Sequence, residues 1–300
     1  MPTSSAKRHD RTSSATNPGS GEEVRLLETR EVPGGLALQT WAAPSLARRA
    51  RPGQFVHVLA PRHPGLLLPV LPIAGFDRVA GTVDLLLPGE GPGLAAVAGT
   101  AVDGSARLGG PLGRGFEIDA RSRFLLVVAD SAGLGRVRAL TQEAVTTGRQ
   151  VTVLLGARSV AAVPPSSLLP DEVEYMVATA DGSLGHHGHV SELVGAYEAW
   201  ADQCFAAGSP ALVSRLLSLA RGRDGRMGVA RLGRRRGRRI EPGAAEARRR
   251  AWLQVALAHD AGCALGICAG CTVEGAVGAV RACREGPTFG AAELRGEPAR

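Results

Sequence analysis

Four of the chain's five cysteines fall within twenty-one residues near its end, spaced Cys263-x4-Cys268-x2-Cys271-x11-Cys283. Three thiolates from one tight loop and a fourth from further along form the cage that a bridged two-iron core needs. This spacing is the plant-type [2Fe–2S] one. Gly262, Gly266 and Gly270 let the backbone wrap closely around an anionic cluster and aim N–H groups at its sulfurs. A structural zinc site also accepts four thiolates, but it usually shows two C-x2-C knuckles, and only one occurs here. The reading is a [2Fe–2S] centre doing one-electron chemistry on Cys263, Cys268, Cys271 and Cys283, with zinc as the lesser alternative. Cys204, alone in an apolar run, reads as an inert core thiol.

Other groups with chemical potential are fewer. His186, His187 and His189 lie within four residues of one another. Such a tract can bind a metal, but a solvated loop is the expectation. Asp181 and Ser183 sit in a turn after a strand-like run, which suits either a nucleotide contact or simple Asx-turn capping. Gly133 and Gly135 follow the run FLLVVA and can let a turn approach a pyrophosphate, a weak signal alone. No Ser-His-Asp or paired-carboxylate arrangement stands out.

The elements that position these groups change character along the chain. From residue 22 to 118, strand-length apolar runs such as QFVHVLAP and TVDLLLPGEG alternate with Pro and Gly turns, predicting a small antiparallel barrel or sandwich. From 119 to 220 the continuous runs FLLVVA, VTVLLGAR, EYMVATADG and CFAAGS alternate with helix-like RVRALTQEAVTTG, SELVGAYEAW and ALVSRLLSLA. That alternation predicts a doubly wound parallel sheet. Residues 221–250 read as a basic linker or insertion, and 251–300 as the cluster module, in which AWLQVALAHDAG starts a strand or helix. Residues 1–21 read as a disordered tail.

The net charge of +7 resides in the 221–250 segment, where twelve arginines face Asp224, Glu241 and Glu246; the rest of the chain is slightly acidic. With no interleaved aromatics to stack on bases, the segment argues against nucleic acid as a partner. No window approaches the roughly 18 uninterrupted apolar residues of a membrane span. The first twenty residues hold no apolar stretch for a signal peptide, so a cytoplasmic address is expected. Thiols stay reduced there, and a tight cysteine cluster points to metal before disulfides.

The stretch GCALGICAGCTVEG…VRACREGPTF resembles the end of the electron-transfer subunit of class 1B dihydroorotate dehydrogenase, with Cys283, Gly286, Pro287 and Phe289 matching that family's C-x-x-G-P-x-F closure. The resemblance extends back to about Glu23. Pro52–Val56 matches the barrel opening P-G-Q-F-V, Gly110–Phe116 the barrel exit G-P-L-G-x-G-F, and Thr179–Gly188 the motif T-x-D-G-S-x-G-x-x-G. It implies a flavin-type β-barrel, a ferredoxin-reductase-type nucleotide-binding domain and a cluster module. It also implies FAD and NAD as further cofactors, and a hetero-oligomer with a dihydroorotate dehydrogenase-type catalytic subunit in pyrimidine biosynthesis. The family's flavin fingerprint Arg-Pro-x-Ser falls on Leu71, Pro72, Ile73 and Ala74, where both polar handles are gone. Its G-x-G-T phosphate turn falls on Gly89, Glu90, Gly91 and Pro92, and its nucleotide turn G-G-G-x-G-x-x-P runs from Ser131 through Gly133 and Gly135 to Arg138. Its C-G-P motif near the nicotinamide reads Ala207-Gly208-Ser209. These departures keep a second reading open: a divergent cluster-only electron carrier or redox sensor without flavin or NAD.

Overall fold

The computed structural model describes residues 21–59, 70–88, 94–231, 244–258 and 263–295. The short apolar runs of the first third become six strands: β1 (Glu22–Val32), β2 (Leu36–Ala42), β3 (Phe55–Leu59), β4 (Val70–Asp77), β5 (Thr82–Pro88) and β6 (Ser105–Leu112). All pair antiparallel, and they close into a barrel in the order β1-β2-β5-β4-β3-β6. Alternate side chains point inward, so Leu26, Trp41, Val58, Ile73, Leu85 and Leu108 fill the interior. The helix α1 (Pro44–Arg49) buries Leu46 and Ala47 in this core. The Glu22 carboxylate accepts the amides of Ser45 and Leu46, both at 3.0 Å, which caps its first turn. A short helix, α2 (Leu94–Ala98), precedes β6.

The continuous runs become β7 (Phe124–Asp130), β8 (Gln150–Ala157), β9 (Glu174–Thr179), the two-residue β10 (His186–His187), β11 (Gln203–Gly208) and β12 (Leu253–Leu257), all parallel. In β7, Leu126 and Val128 enter one core, while Leu125, Val127 and Ala129 enter the other on the opposite face. Burial on both faces is why the sequence shows an unbroken apolar run. The helix α3 (Leu134–Thr146) connects β7 to β8 and also packs on the barrel at β4. SELVGAYEAW, expected as a helix, holds only a 3₁₀ turn and the one-turn α4 (Val194–Tyr197).

After residue 220 the structure adds two features to the sequence reading. The helix α5 (Pro210–Arg231) runs on into the basic segment, and α6 (Ala244–Arg249) forms at its end, so part of 221–250 is helical. Arg248 is buried there and ion-pairs with Glu117. Residues 253–257, expected within the cluster module, are β12, a strand of the parallel sheet. The cysteine loop follows, then the hairpin β13 (Thr272–Gly275) and β14 (Gly278–Arg281), the turn α7 (Ala282–Glu285) and β15 (Thr288–Gly290). β15 returns antiparallel to β12, which completes the order β10-β9-β8-β7-β11-β12-β15. The cysteine module is thus tied to the sheet before and after its loop.

Candidate metal centre

The cysteine loop turns through three left-handed residues, Ala264 (φ 47°), Gly266 (φ 73°) and Ala269 (φ 58°). For alanine this region is strained, so the surrounding contacts must impose it. Arg281 supplies one such contact: its guanidinium donates to the Gly266 carbonyl at 2.9 Å and pairs with Glu285 at 3.2 Å. Ala282 N–H donates to the Cys271 carbonyl at 2.9 Å, and the Thr272 hydroxyl to the Ala269 carbonyl at 2.6 Å. Hairpin, turn and loop therefore hold one another.

Cys271 and Cys283 are buried and belong to the same apolar core as Phe55 and Phe289; Cys263 is half-buried and Cys268 exposed. The thiols come together in two pairs. Cys263 Sγ accepts the amides of Leu265 and Cys268, each at 3.4 Å, and the Cys268 thiol as well. Cys271 Sγ accepts the Cys283 amide at 3.4 Å and the Cys283 thiol. Burial pushes the Cys263 thiol up, but the amides of Cys268 and Leu265 outweigh it and bring the group down to about 6. Burial, with the neighbouring Cys271, pushes Cys283 up to about 12. Among the described residues, no three His, Cys, Asp or Glu side chains gather as ligands of one ion. Thiols brought together two by two suit a two-iron core with two thiolates on each iron better than a single tetrahedral ion.

The remaining expected site residues fall elsewhere. Leu71 and Ile73 point into the barrel core, Ala74 lies buried in the core under the sheet, and Pro72 faces Gly135. None offers a charged or hydroxyl group to a phosphate. Gly89 and Gly91 lie outside the described residues. Gly133 and Gly135 both have packing reasons to be glycine. A Cβ on Gly133 would sit 1.9 Å from the Ala207 carbonyl oxygen, and one on Gly135 would meet Leu86 and Pro72 at 3.3 and 3.4 Å. Arg138, at the proline position of the turn, is buried and paired with Asp84 at 2.8 Å. His186 bonds Glu192 at 2.9 Å, and His189 Nδ1 bonds the Ser191 hydroxyl at 2.7 Å, so these imidazoles are turn supports. Asp181 accepts both the amide and the hydroxyl of Ser183 in an Asx turn.

Sequence reasoning passed over Asp130, whose carboxylate bridges the amides of Gly133 and Ser209. Its only signal was a charged residue ending a buried apolar run.

A closed six-stranded barrel, a doubly wound parallel sheet and a cysteine loop tied to its edge define a protein of the ferredoxin-reductase-like fold with an appended iron–sulfur module. The model of the iron–sulfur cluster binding domain of dihydroorotate dehydrogenase B matches residues 261–295. An electron transfer subunit of dihydroorotate dehydrogenase B (NAD⁺) from Desulforamulus reducens is 30% identical over 82% of this chain and 87% of its own length. The corresponding subunit of Geobacillus thermodenitrificans is 26% identical over 83% and 88%. The solved structure of an NADH-dependent reduced ferredoxin–NADP oxidoreductase superposes with a TM-score of 0.71 over 90% of this chain and 89% of that one, at 20% identity. The chain belongs to the family of dihydroorotate dehydrogenase B electron transfer subunits. No described helix is long and apolar enough to cross a membrane.

Proposed function

We propose that the chain carries a [2Fe–2S] cluster on Cys263, Cys268, Cys271 and Cys283 and relays electrons between a dihydroorotate dehydrogenase-type catalytic subunit and NAD, as one partner of a hetero-oligomer. The observation that carries this reading is that Cys263 Sγ accepts the Cys268 amide and Cys271 Sγ accepts the Cys283 amide, each at 3.4 Å, which draws the four residues together two by two. When bound, the cluster supplies one-electron transfer. The chain's own residues do the rest. The amides of Leu265, Cys268 and Cys283 are already aimed at the sulfurs, where N–H donors stabilise added negative charge. Arg281 holds the loop in shape. Leu265 (40% exposed) and Ile267 (78% exposed) flank exposed Cys268, and they offer a partner an apolar surface beside the site.

FAD and NAD enter the reading from the family and its fold. The described residues fit them less well than the cluster, because the matching run of β4 presents only Leu71, Pro72, Ile73 and Ala74, and Arg138, which donates to the Ala74 carbonyl, is engaged by Asp84. That observation favours the second reading, a cluster-only carrier.

Anaerobic purification followed by visible spectroscopy and iron, sulfide and flavin assays tests both. The first reading expects iron and acid-labile sulfide, about two of each per chain, plus releasable flavin; the second expects the cluster without flavin. Cys271→Ser should lose the cluster bands. A colourless, zinc-containing preparation overturns both.

A further inference from the structure

In an open parallel sheet, ligands bind beyond the carboxyl ends of the strands where the strand order reverses. Here that point lies between β7 and β11, because the chain proceeds from β7 outward through β8 and β9 and then returns to β11 on the other side. Asp130 ends β7 and Ser209 follows β11, so both stand at the mouth of this crevice. Amides at such a mouth ordinarily receive the diphosphate of a dinucleotide. In this chain they already hold an anion. Asp130 Oδ1 accepts the Gly133 amide at 2.9 Å, which the Asp130 carbonyl shares at 2.9 Å, and Oδ2 accepts the Ser209 amide at 2.6 Å. The carboxylate is seated closely: a Cβ on Gly208 would lie 2.7 Å from it, so only glycine leaves it room. Its charge also acts on Arg136, and on His189, which burial and the neighbouring Arg215 hold toward the neutral form. Ser131, at a glycine position of the turn, spends its hydroxyl on the Ala162 carbonyl at 2.7 Å.

We infer that Asp130 is a specificity-determining residue that occupies the anion seat of the nucleotide crevice with its own carboxylate and selects against diphosphate-bearing ligands. The inference rests on the electron-transfer reading only in taking this crevice as the dinucleotide entrance, and it bears against NAD as that relay's acceptor, in line with the cluster-only reading. A dinucleotide enters by displacing Asp130 from two charge-assisted hydrogen bonds and then lies against a like charge. Both effects weaken binding; neutralising the carboxylate in place removes the like charge and leaves at most one, uncharged, acceptor to displace.

The test is titration of the purified full chain with NADH and with ADP-ribose, which keeps the diphosphate and lacks the nicotinamide. Asp130→Asn preserves shape; Asp130→Ser removes the bulk. Both variants should bind both probes about tenfold or more tightly than the parent, the equivalent of losing one hydrogen bond to a charged group. Equal or weaker binding in both variants overturns the inference, because Asp130 would then be neutral toward the ligand or a contact for it. Failure of parent and variants alike to bind also overturns it, because the freed amides would then show no anion affinity. The cluster's visible bands, recorded on the same samples, report the electron-transfer reading separately.

Discussion

At the scale of single residues, the cysteines differ in what they do before any metal arrives. Cys263 sits at the N–H end of two loop amides, and Cys283 is buried against another sulfur. The first is held low and the second high. A thiol whose folded value is lowered contributes stability fully present above the ordinary thiol range, near 8.5, and lost as pH falls through the folded value. For Cys263 that window runs from there down to about 6. In metal-free protein, iodoacetamide should therefore modify Cys263 with a half-maximal rate near pH 6, read by peptide mass spectrometry. Cys283 should stay unmodified across neutral pH. A Cys263 profile centred near 8.5 would show that the loop amides do not reach the sulfur in solution. The proposed ligand set comes from the sequence, because its spacing is a local pattern. The split in acidity was not legible there, because it depends on the left-handed turns at Ala264, Gly266 and Ala269.

At the scale of elements, the join between barrel and sheet depends on a residue that looked like a defect. Arg138 departs from the proline of the family's turn, yet its guanidinium ties three segments together. It donates to the Leu168 carbonyl at 2.7 Å, to the Ala74 carbonyl on β4 at 3.2 Å, and to Asp84 on β5 at 2.8 Å. Asp84 is steadied in turn by the Thr40 hydroxyl at 2.9 Å. Removing one partner leaves a mostly buried charge uncompensated. Arg138→Met should accordingly cost about 2–4 kcal/mol in urea unfolding, toward the range seen for broken buried pairs. A loss below about 1 kcal/mol would place the pair among solvent-screened surface contacts instead. The strands themselves were readable, since burial on both faces leaves continuous apolar runs. The clamp was not, because Asp84 lies fifty-four residues from Arg138 and no periodicity links them. The extension of α5 past residue 220 was hidden for a different reason: an Arg- and Gly-rich stretch carries no apolar stripe to mark a helix.

At the scale of the whole molecule, motifs that lie far apart in sequence interlock around the cluster module. The Phe116 amide donates to the Pro52 carbonyl at 2.8 Å, and the Gln54 side chain donates to the Gly113 carbonyl at 2.8 Å. The Thr288 hydroxyl donates to the carbonyls of Arg114 and Gly115 at 2.9 and 2.7 Å, and Arg114 pairs with Glu293 at 3.1 Å. Barrel opening, barrel exit and module closure thus form one junction, with β15 zipped onto β12 beside it. The sequence displayed these motifs as separate landmarks; only the fold shows that they meet. Iron removal should consequently act locally. The segment 263–271 is held by a few hydrogen bonds from Arg281, Thr272 and Ala282, to which bound iron would add its thiolate bonds, while the junction depends on backbone and side-chain hydrogen bonds that need no metal. Chelation under reducing conditions, followed by hydrogen exchange, should abolish amide protection from 263 through 271 and leave β12 and β15 protected. The main thermal transition should remain a single cooperative step, because the sheet and barrel cores are untouched. Parallel loss of protection in β12 and β15 would mean instead that the cluster is a folding element for the entire C-terminal edge, as structural zinc is in small domains.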